Sequence, residues 1–190
     1  LNMALTGIRD ISVIETPPLN RIPVKTFVME FNEETVVSAI EREIERKGQV
    51  FYLYNRVESI DSFALFVKKL CPKARICIAH GRMLGKRLEK IMKDFIDYKY
   101  DILVSTTIIE NGIDIPNANT ILIENAHALG LSELYQLRGR VGRSDREAYA
   151  YMFYPKNLAL SEVAYKRLSA ISEHTDLGAG FKIAMRDLEI

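Results

Sequence analysis

The segment YQLRGRVGRSDREAYAY, residues 135–151, carries four arginines, Arg138, Arg140, Arg143 and Arg146, and two glycines, Gly139 and Gly142. A guanidinium keeps its charge at any physiological pH and presents a planar fork that matches phosphate oxygens. If residues 132–142 are helical, side chains three and four apart share a face, so Gln136, Arg140 and Arg143 form one stripe and Arg138 points away. Each glycine costs such a helix ~1 kcal/mol relative to alanine, which close approach of a ligand or another backbone usually offsets. The chemistry that follows is a polyphosphate clamp. The plainer alternative is a solvated basic helix end.

A second set of residues follows the apolar runs. Asn55 and Arg56 come after VFYLY, His80, Gly81 and Arg82 after ICIA, and Ser105, Thr106 and Thr107 after ILV, with Gly112 and Asp114 a little further on. Hydroxyls, exposed backbone amides and a bare glycine are what recognition of a phosphodiester backbone uses when it ignores base identity. Taken singly, His80 reads as a satisfied polar group, Thr106 as a helix cap and Asp114, before Ile115 and Pro116, as a turn former. Their joint position at strand ends favours a shared site. No G-x-x-x-x-G-K-[ST] loop occurs, nor an acidic pair after an apolar strand, so the chain is not expected to cradle a β-phosphate and its magnesium by itself.

The elements that must position these residues alternate regularly. Strand patterns at KTFVMEF, QVFYLY, RICIAH, YDILVST, TILIEN and EAYAYMFYP are separated by amphipathic helical patterns at NEETVVSAIEREIERKG, with Asn32 as N-cap, SIDSFALFVKKL and KRLEKIMKDFIDY. Such alternation predicts right-handed βαβ units and a mostly parallel sheet covered on both faces, an α/β three-layer domain of RecA-like or Rossmann-like type. Ligands in such sheets gather beyond the carboxyl ends of the strands. After the last strand, SEVAYKRLSAISEH, TDLGAG and FKIAMRDLEI predict an appended C-terminal helical hairpin. The expected division is a lead-in segment with the first strand over 1–31, the α/β domain over 32–157 and the hairpin over 158–190. The start without an initiator methionine and the uncapped end are expected of a piece of a longer protein.

Composition narrows the classes. With 190 residues and 48% hydrophobic content the chain can bury a substantial core. A net charge of +1 advertises no global basic field, so any nucleic-acid binding must come from local clusters. Cys71 and Cys77 lie in apolar surroundings without metal-type spacing and read as buried thiols. No apolar run reaches the ~20 residues of a membrane span, and a cytoplasmic location is expected.

Four motifs carry a resemblance. QLRGRVGRS, VSTTIIENGIDIPN, VFYLYNRV and AHGRM resemble motifs VI, V and IV and the segment between IV and V in the second RecA-like motor domain of superfamily 2 helicases and translocases. The lead-in LNMALTGIRDISVIETPPLNRIPVKTF and the hairpin sequence resemble the branch that holds the RecG-type helicases and the bacterial transcription-repair coupling factors, and LGAGF favours the latter. The resemblance implies that Arg140 and Arg143 act as arginine fingers on ATP, with Gln136 in the same network. It implies that Gly112 and Asp114 lie beside the nucleotide, and that Asn55, Arg56, His80, Gly81 and Thr106 line a DNA-backbone track. It implies that Arg186 couples hydrolysis to movement, and that ATP and Mg are held mainly by a first motor domain. The implied partners are double-stranded DNA, that first domain and, through other domains, RNA polymerase and nucleotide-excision-repair proteins. A non-enzymatic nucleic-acid-binding module is the alternative from a different class.

Overall fold

The apolar runs form the strands that their alternation predicts. In the computed structural model, which describes residues 23–107, 118–142 and 146–172, the strands are β1 (Val24–Glu30), β2 (Gln49–Leu53), β3 (Ile76–Ala79), β4 (Ile102–Ser105), β5 (Ala118–Ile123) and β6 (Ala148–Tyr154). They build one six-stranded sheet in the order β1-β6-β5-β2-β4-β3, and every neighbouring pair is parallel. β2, β4 and β5 are buried along their whole length, which is why they read as continuous apolar runs rather than as alternation.

Among the described residues five helices cover the sheet: α1 (Glu33–Glu45), α2 (Ile60–Leu70), α3 (Gly85–Ile96), α4 (Leu131–Arg138) and α5 (Glu162–Ser172). Successive strand residues serve opposite layers. Val50 and Tyr52 pack with Val36, Ile40 and Ile60 of α1 and α2, while Phe51 and Leu53 pack with Phe95, Leu134 and Leu168 of α3, α4 and α5. Asn32 caps α1 as expected, its Oδ1 accepting from Thr35 N at 3.0 Å. Cys71 and Cys77 are both buried, and burial, with Asp94 nearby, pushes the Cys77 thiol up to about 12. None of the described helices is long and apolar enough to cross a membrane.

α5, the first helix of the expected hairpin, packs on α4, on β1 and on the turn at Ala126–Ala128. The second hairpin helix lies outside the described residues. β1, grouped by sequence with the lead-in segment, pairs in register with β6 from Val24↔Ala148 to Glu30↔Tyr154 and completes the sheet.

One expectation about local structure is corrected. The helix anticipated over 132–142 ends at Arg138. Gly139 N bonds Tyr135 O at 3.0 Å, Arg140 N bonds Leu137 O at 3.0 Å, and Gly142 turns the chain with φ +82°. The i to i+4 stripe of Gln136 and Arg140 is therefore broken by the C-cap, and Arg140 projects from a turn. A Cβ at Gly142 would also meet Val24 Cγ2 at 3.0 Å, so the close approach that requires this glycine is to the sheet edge.

Candidate functional site

Because all six strands run the same way, their carboxyl ends share one rim. Leu53, Ala79 and Ser105 end β2, β3 and β4, and β4 lies between the other two. The segments carrying Asn55, His80 and Thr106 are thereby brought side by side. Tyr54 N bonds Ser105 O at 2.8 Å, Thr106 N bonds Ala79 O at 3.2 Å, and Thr107 donates from both N and Oγ1 to Asn55 Oδ1, each at 3.2 Å. The Asn55 carbonyl is thus committed to the β4 loop. As a neutral amide the same side chain still carries two N–H donors at an exposed position.

His80 is half-buried and shapes the next turn, accepting from Arg82 N through Nδ1 at 3.2 Å and from Met83 N through its carbonyl at 3.1 Å. Gly81 and Arg56 are exposed. Arg82 pairs with Glu58 at 3.0 Å, but both side chains are largely solvated, so the pair contributes well under ~1 kcal/mol. Thr106 sits in the middle of the rim yet is only 3% exposed, and its hydroxyl finds no hydrogen-bond partner among the described residues. An unsatisfied buried hydroxyl costs ~1–3 kcal/mol. It is a group that gains from an acceptor or donor brought by a ligand.

Gln136 is exposed on α4, and Arg140 is half-buried in the turn behind it. Arg138 does turn away, towards Thr26 Oγ1 at 3.4 Å and the ring of Tyr135 at 5.0 Å. Burial lowers the Arg138 pKa while the Tyr135 phenol opposes the shift, and the guanidinium stays charged. Gly112, Asp114, Arg143 and Arg186 lie outside the described residues. The rim residues and the arginine segment are therefore two groups, one at the ends of β2 to β4 and one on the α4 side of the sheet.

Two features of this rim were not singled out in the sequence. Glu124, immediately after β5, accepts from Tyr52 OH at 2.7 Å. Burial raises its carboxyl from 4.5 to about 7, against the opposing effect of the Tyr52 hydrogen bond. His127 follows in the same loop, and Arg167 of α5 donates to its carbonyl at 2.9 Å. Burial first, then Arg167 and Arg56, lower the His127 pKa and keep the imidazole neutral. Glu124 did carry a sequence signal, being a polar residue directly after an apolar run like Asn55 and Thr106. The Arg167 contact had none beyond its cationic reach.

The helicase conserved C-terminal domain matches this chain over residues 32–145. The chain belongs to that family. A transcription-repair-coupling factor of Staphylococcus epidermidis is 58% identical over all 190 residues, and the chain spans 16% of that relative's length. Among solved structures, RecG bound to a three-way DNA junction superposes with a TM-score of 0.73 at 37% identity, covering 91% of this chain and 23% of RecG. The yeast DEAD-box splicing factor Prp28 superposes with a TM-score of 0.68 at 19% identity over 86% of this chain and 37% of that one, a likeness of fold. The helicase C-terminal family and the parallel three-layer sheet agree on a RecA-like domain.

Proposed function

We propose that this chain is the second motor domain of an ATP-dependent double-stranded DNA translocase of transcription-coupled repair. The observation that carries the reading is the 58% identity to a transcription-repair-coupling factor across the whole chain. In this reading residues 32–157 are the RecA-like domain, 158–190 a translocation hairpin and 1–31 the junction with the first motor domain. ATP and Mg are held mainly by that first domain, and the protein works in the cytoplasm. RNA polymerase and nucleotide-excision-repair proteins engage it through other domains.

Arg140 and Arg143 then reach across the interdomain cleft to the γ-phosphate, with Gln136 beside them and Gly112 and Asp114 at the nucleotide. An arginine supplied from a second domain meets charge that grows in the transition state, and ties hydrolysis to domain closure. At the rim, Asn55 contributes its amide N–H groups, Arg56 its charge, His80 and Gly81 a turn with accessible backbone, and Thr106 its unpaired hydroxyl to one strand's phosphates. Such contacts carry no base information, as a motor that must pass over any sequence requires. Alternate closing around ATP and opening after hydrolysis move the grip along the duplex. Arg186 passes the movement to the DNA.

The 37% identity to RecG favours a second reading, the same domain of a branch-migration helicase. The test is a pair of assays on the full-length protein that carries this chain. Displacement of a stalled RNA polymerase driven by DNA-stimulated ATP hydrolysis is expected. Branch migration of a junction without polymerase displacement would select the RecG-type reading. ATP turnover by the 190-residue chain alone would overturn both, because the phosphate loop and metal ligands would have to lie within it.

A further inference from the structure

The row of strand ends has a fourth member. β5, β2, β4 and β3 lie side by side in that order, and Glu124, Asn55, Thr106 and His80 follow their carboxyl ends. Neighbouring strands are ~4.8 Å apart, so the row from β5 to β4 is about 10 Å across. Glu124 is locked into it through its backbone N–H, which donates to Leu53 O at 3.0 Å. Asn55 and Thr106 bring hydrogen-bond donors to this row, whereas Glu124 brings a carboxyl.

Its two oxygens differ. Oε1 is held from inside the fold by the Tyr52 hydroxyl at 2.7 Å. Burial, with Glu124 beside it, keeps that phenol well above its ordinary pKa, so it stays a donor. Oε2 has no partner among the described residues and is not sealed from water, so it opens on the rim. No cation offsets the charge. The charged groups on the surrounding elements are Arg56 and Glu58 after β2, Asp61 on α2, Glu33 on α1, Lys156 after β6 and Arg167 on α5. None of them shifts the Glu124 carboxyl, which answers to burial and to Tyr52 alone, and Arg167 and Arg56 act instead on His127. The end of β6, opposite Ile123, adds only Met152, Phe153 and the buried phenol of Tyr154. An amide would accept from Tyr52 equally well and carry no charge to desolvate. Packing therefore does not account for an ionisable group at this place.

A phosphodiester strand held along this row meets Glu124 at the strand end next to Asn55. Two anions in contact disfavour each other's charged form, whereas a neutral carboxylic acid is a hydrogen-bond donor. We propose that Glu124 is a further contact of the DNA track: Oε2 takes up a proton from solvent as the duplex docks and donates it in a hydrogen bond to a phosphate oxygen. This rests on the reading of the rim as a DNA-backbone track. In the free protein burial already raises the carboxyl to about 7, so the proton is available near neutrality. Docking raises the carboxyl pKa further, so the bound state holds the proton more tightly. Affinity is then greatest below the free-state value and is lost as pH rises through it. A basic side chain of the first motor domain would have the opposite sign, since it would favour the carboxylate and expel the proton.

The test measures binding of a short DNA duplex to the full-length protein that carries this chain, by fluorescence anisotropy at fixed ionic strength. From about pH 6 to about pH 8 the parent should lose about tenfold in affinity through this group, the limit for one proton centred near 7. Glu124→Gln should lack that loss, and the difference between the two proteins removes what His80 and His127 contribute to both. Calorimetry of binding in two buffers of different ionisation enthalpy should show uptake of up to about one proton more in the parent than in the variant. Tyr52→Phe removes a hydrogen bond that lowers the carboxyl pKa, so its loss of affinity should begin at higher pH, a shift that a packing role would not give. Identical profiles in the parent and Glu124→Gln, or an unmoved profile in Tyr52→Phe, would overturn the proposal. Proton release on binding would mean that the carboxylate meets a cation, and would overturn it equally. Arg56→Gln keeps the two readings apart: duplex binding unchanged by that substitution fails the rim itself, whereas weakened binding with identical pH profiles fails the Glu124 contact alone.

Discussion

Replacing Thr106 by valine separates what the strand-end rim does for folding from what it does for DNA. The two side chains are nearly isosteric, and the residue is 3% exposed, so the change exchanges a hydroxyl for a methyl with little repacking. The hydroxyl has no partner among the described residues. A buried polar group left unsatisfied costs ~1–3 kcal/mol, so its removal should stabilise the fold by about 1 kcal/mol, allowing for partial solvation of the rim. For a chain of this size that is an increase of roughly 2–4 °C in melting temperature. In the full-length protein the same substitution should weaken duplex binding, because the phosphate oxygen then has no hydroxyl to accept from. The slope of log affinity against log salt should stay unchanged, since a neutral contact releases no counterion. Calorimetric melting of the chain and salt-dependent binding of the full-length protein are the two measurements. A destabilisation beyond about 1 kcal/mol would mean that the hydroxyl already has an internal partner. Unchanged DNA affinity would remove Thr106 from the backbone track.

Arg56→Gln should reduce the magnitude of that salt slope by about 0.9, the signature of one lost phosphate contact, without altering sequence preference. Arg143→Ala in the full-length protein should lower the ATP hydrolysis rate by ~10³-fold or more while ATP binding persists, measured by turnover and nucleotide titration. A collapse of ATP affinity would make Arg143 a ground-state ligand. Changing Arg186 should leave hydrolysis substantial and abolish displacement of a roadblock from DNA, with equal losses in both arguing against coupling. For Glu124, the folded carboxyl titrates at about 7 against 4.5 in the unfolded chain, so the native state binds its proton more tightly. Its contribution to stability is present below the unfolded value and is lost as pH rises through the folded one, to a ceiling of roughly 3 kcal/mol. Glu124→Gln should therefore match the parent near pH 4 and melt higher at pH 8. The depressed His127 pKa slopes the other way in both proteins and cancels in the comparison. Equal melting at pH 8 would refute the shift.

The strands and helices were legible because their burial is written in local apolar patterns, and the α1 cap because an asparagine, Asn32, stands just before an apolar run of helical spacing. The shared rim also followed, since parallel strands place all carboxyl ends together. The end of α4 was misplaced because the arginine spacing suits a helix, whereas Gly139 and the left-handed Gly142 stop it. The orphaned Thr106 hydroxyl was not readable, for its burial depends on neighbours from β2 and β3. The Tyr52 and Glu124 contact joins positions 72 residues apart, and nothing local announces it.

The placement of β1 beside β6 has a consequence for how the chain is made. β2, β3 and β4 can pair among themselves as they leave the ribosome, and β5 then adds to β2, but β1 has no partner in the sheet until β6 is synthesised. Its far end is fastened later still, by Asn157 N donating to Glu30 Oε2 across 127 residues of sequence. The first of the described strands to emerge is thus the last to be captured, and Phe27 and Met29 wait in water meanwhile. Pairing of such high sequence separation slows folding and exposes the waiting segment to wrong partners. Lys25 and Glu30, charges near the two ends of β1, discourage edge-to-edge association during that interval.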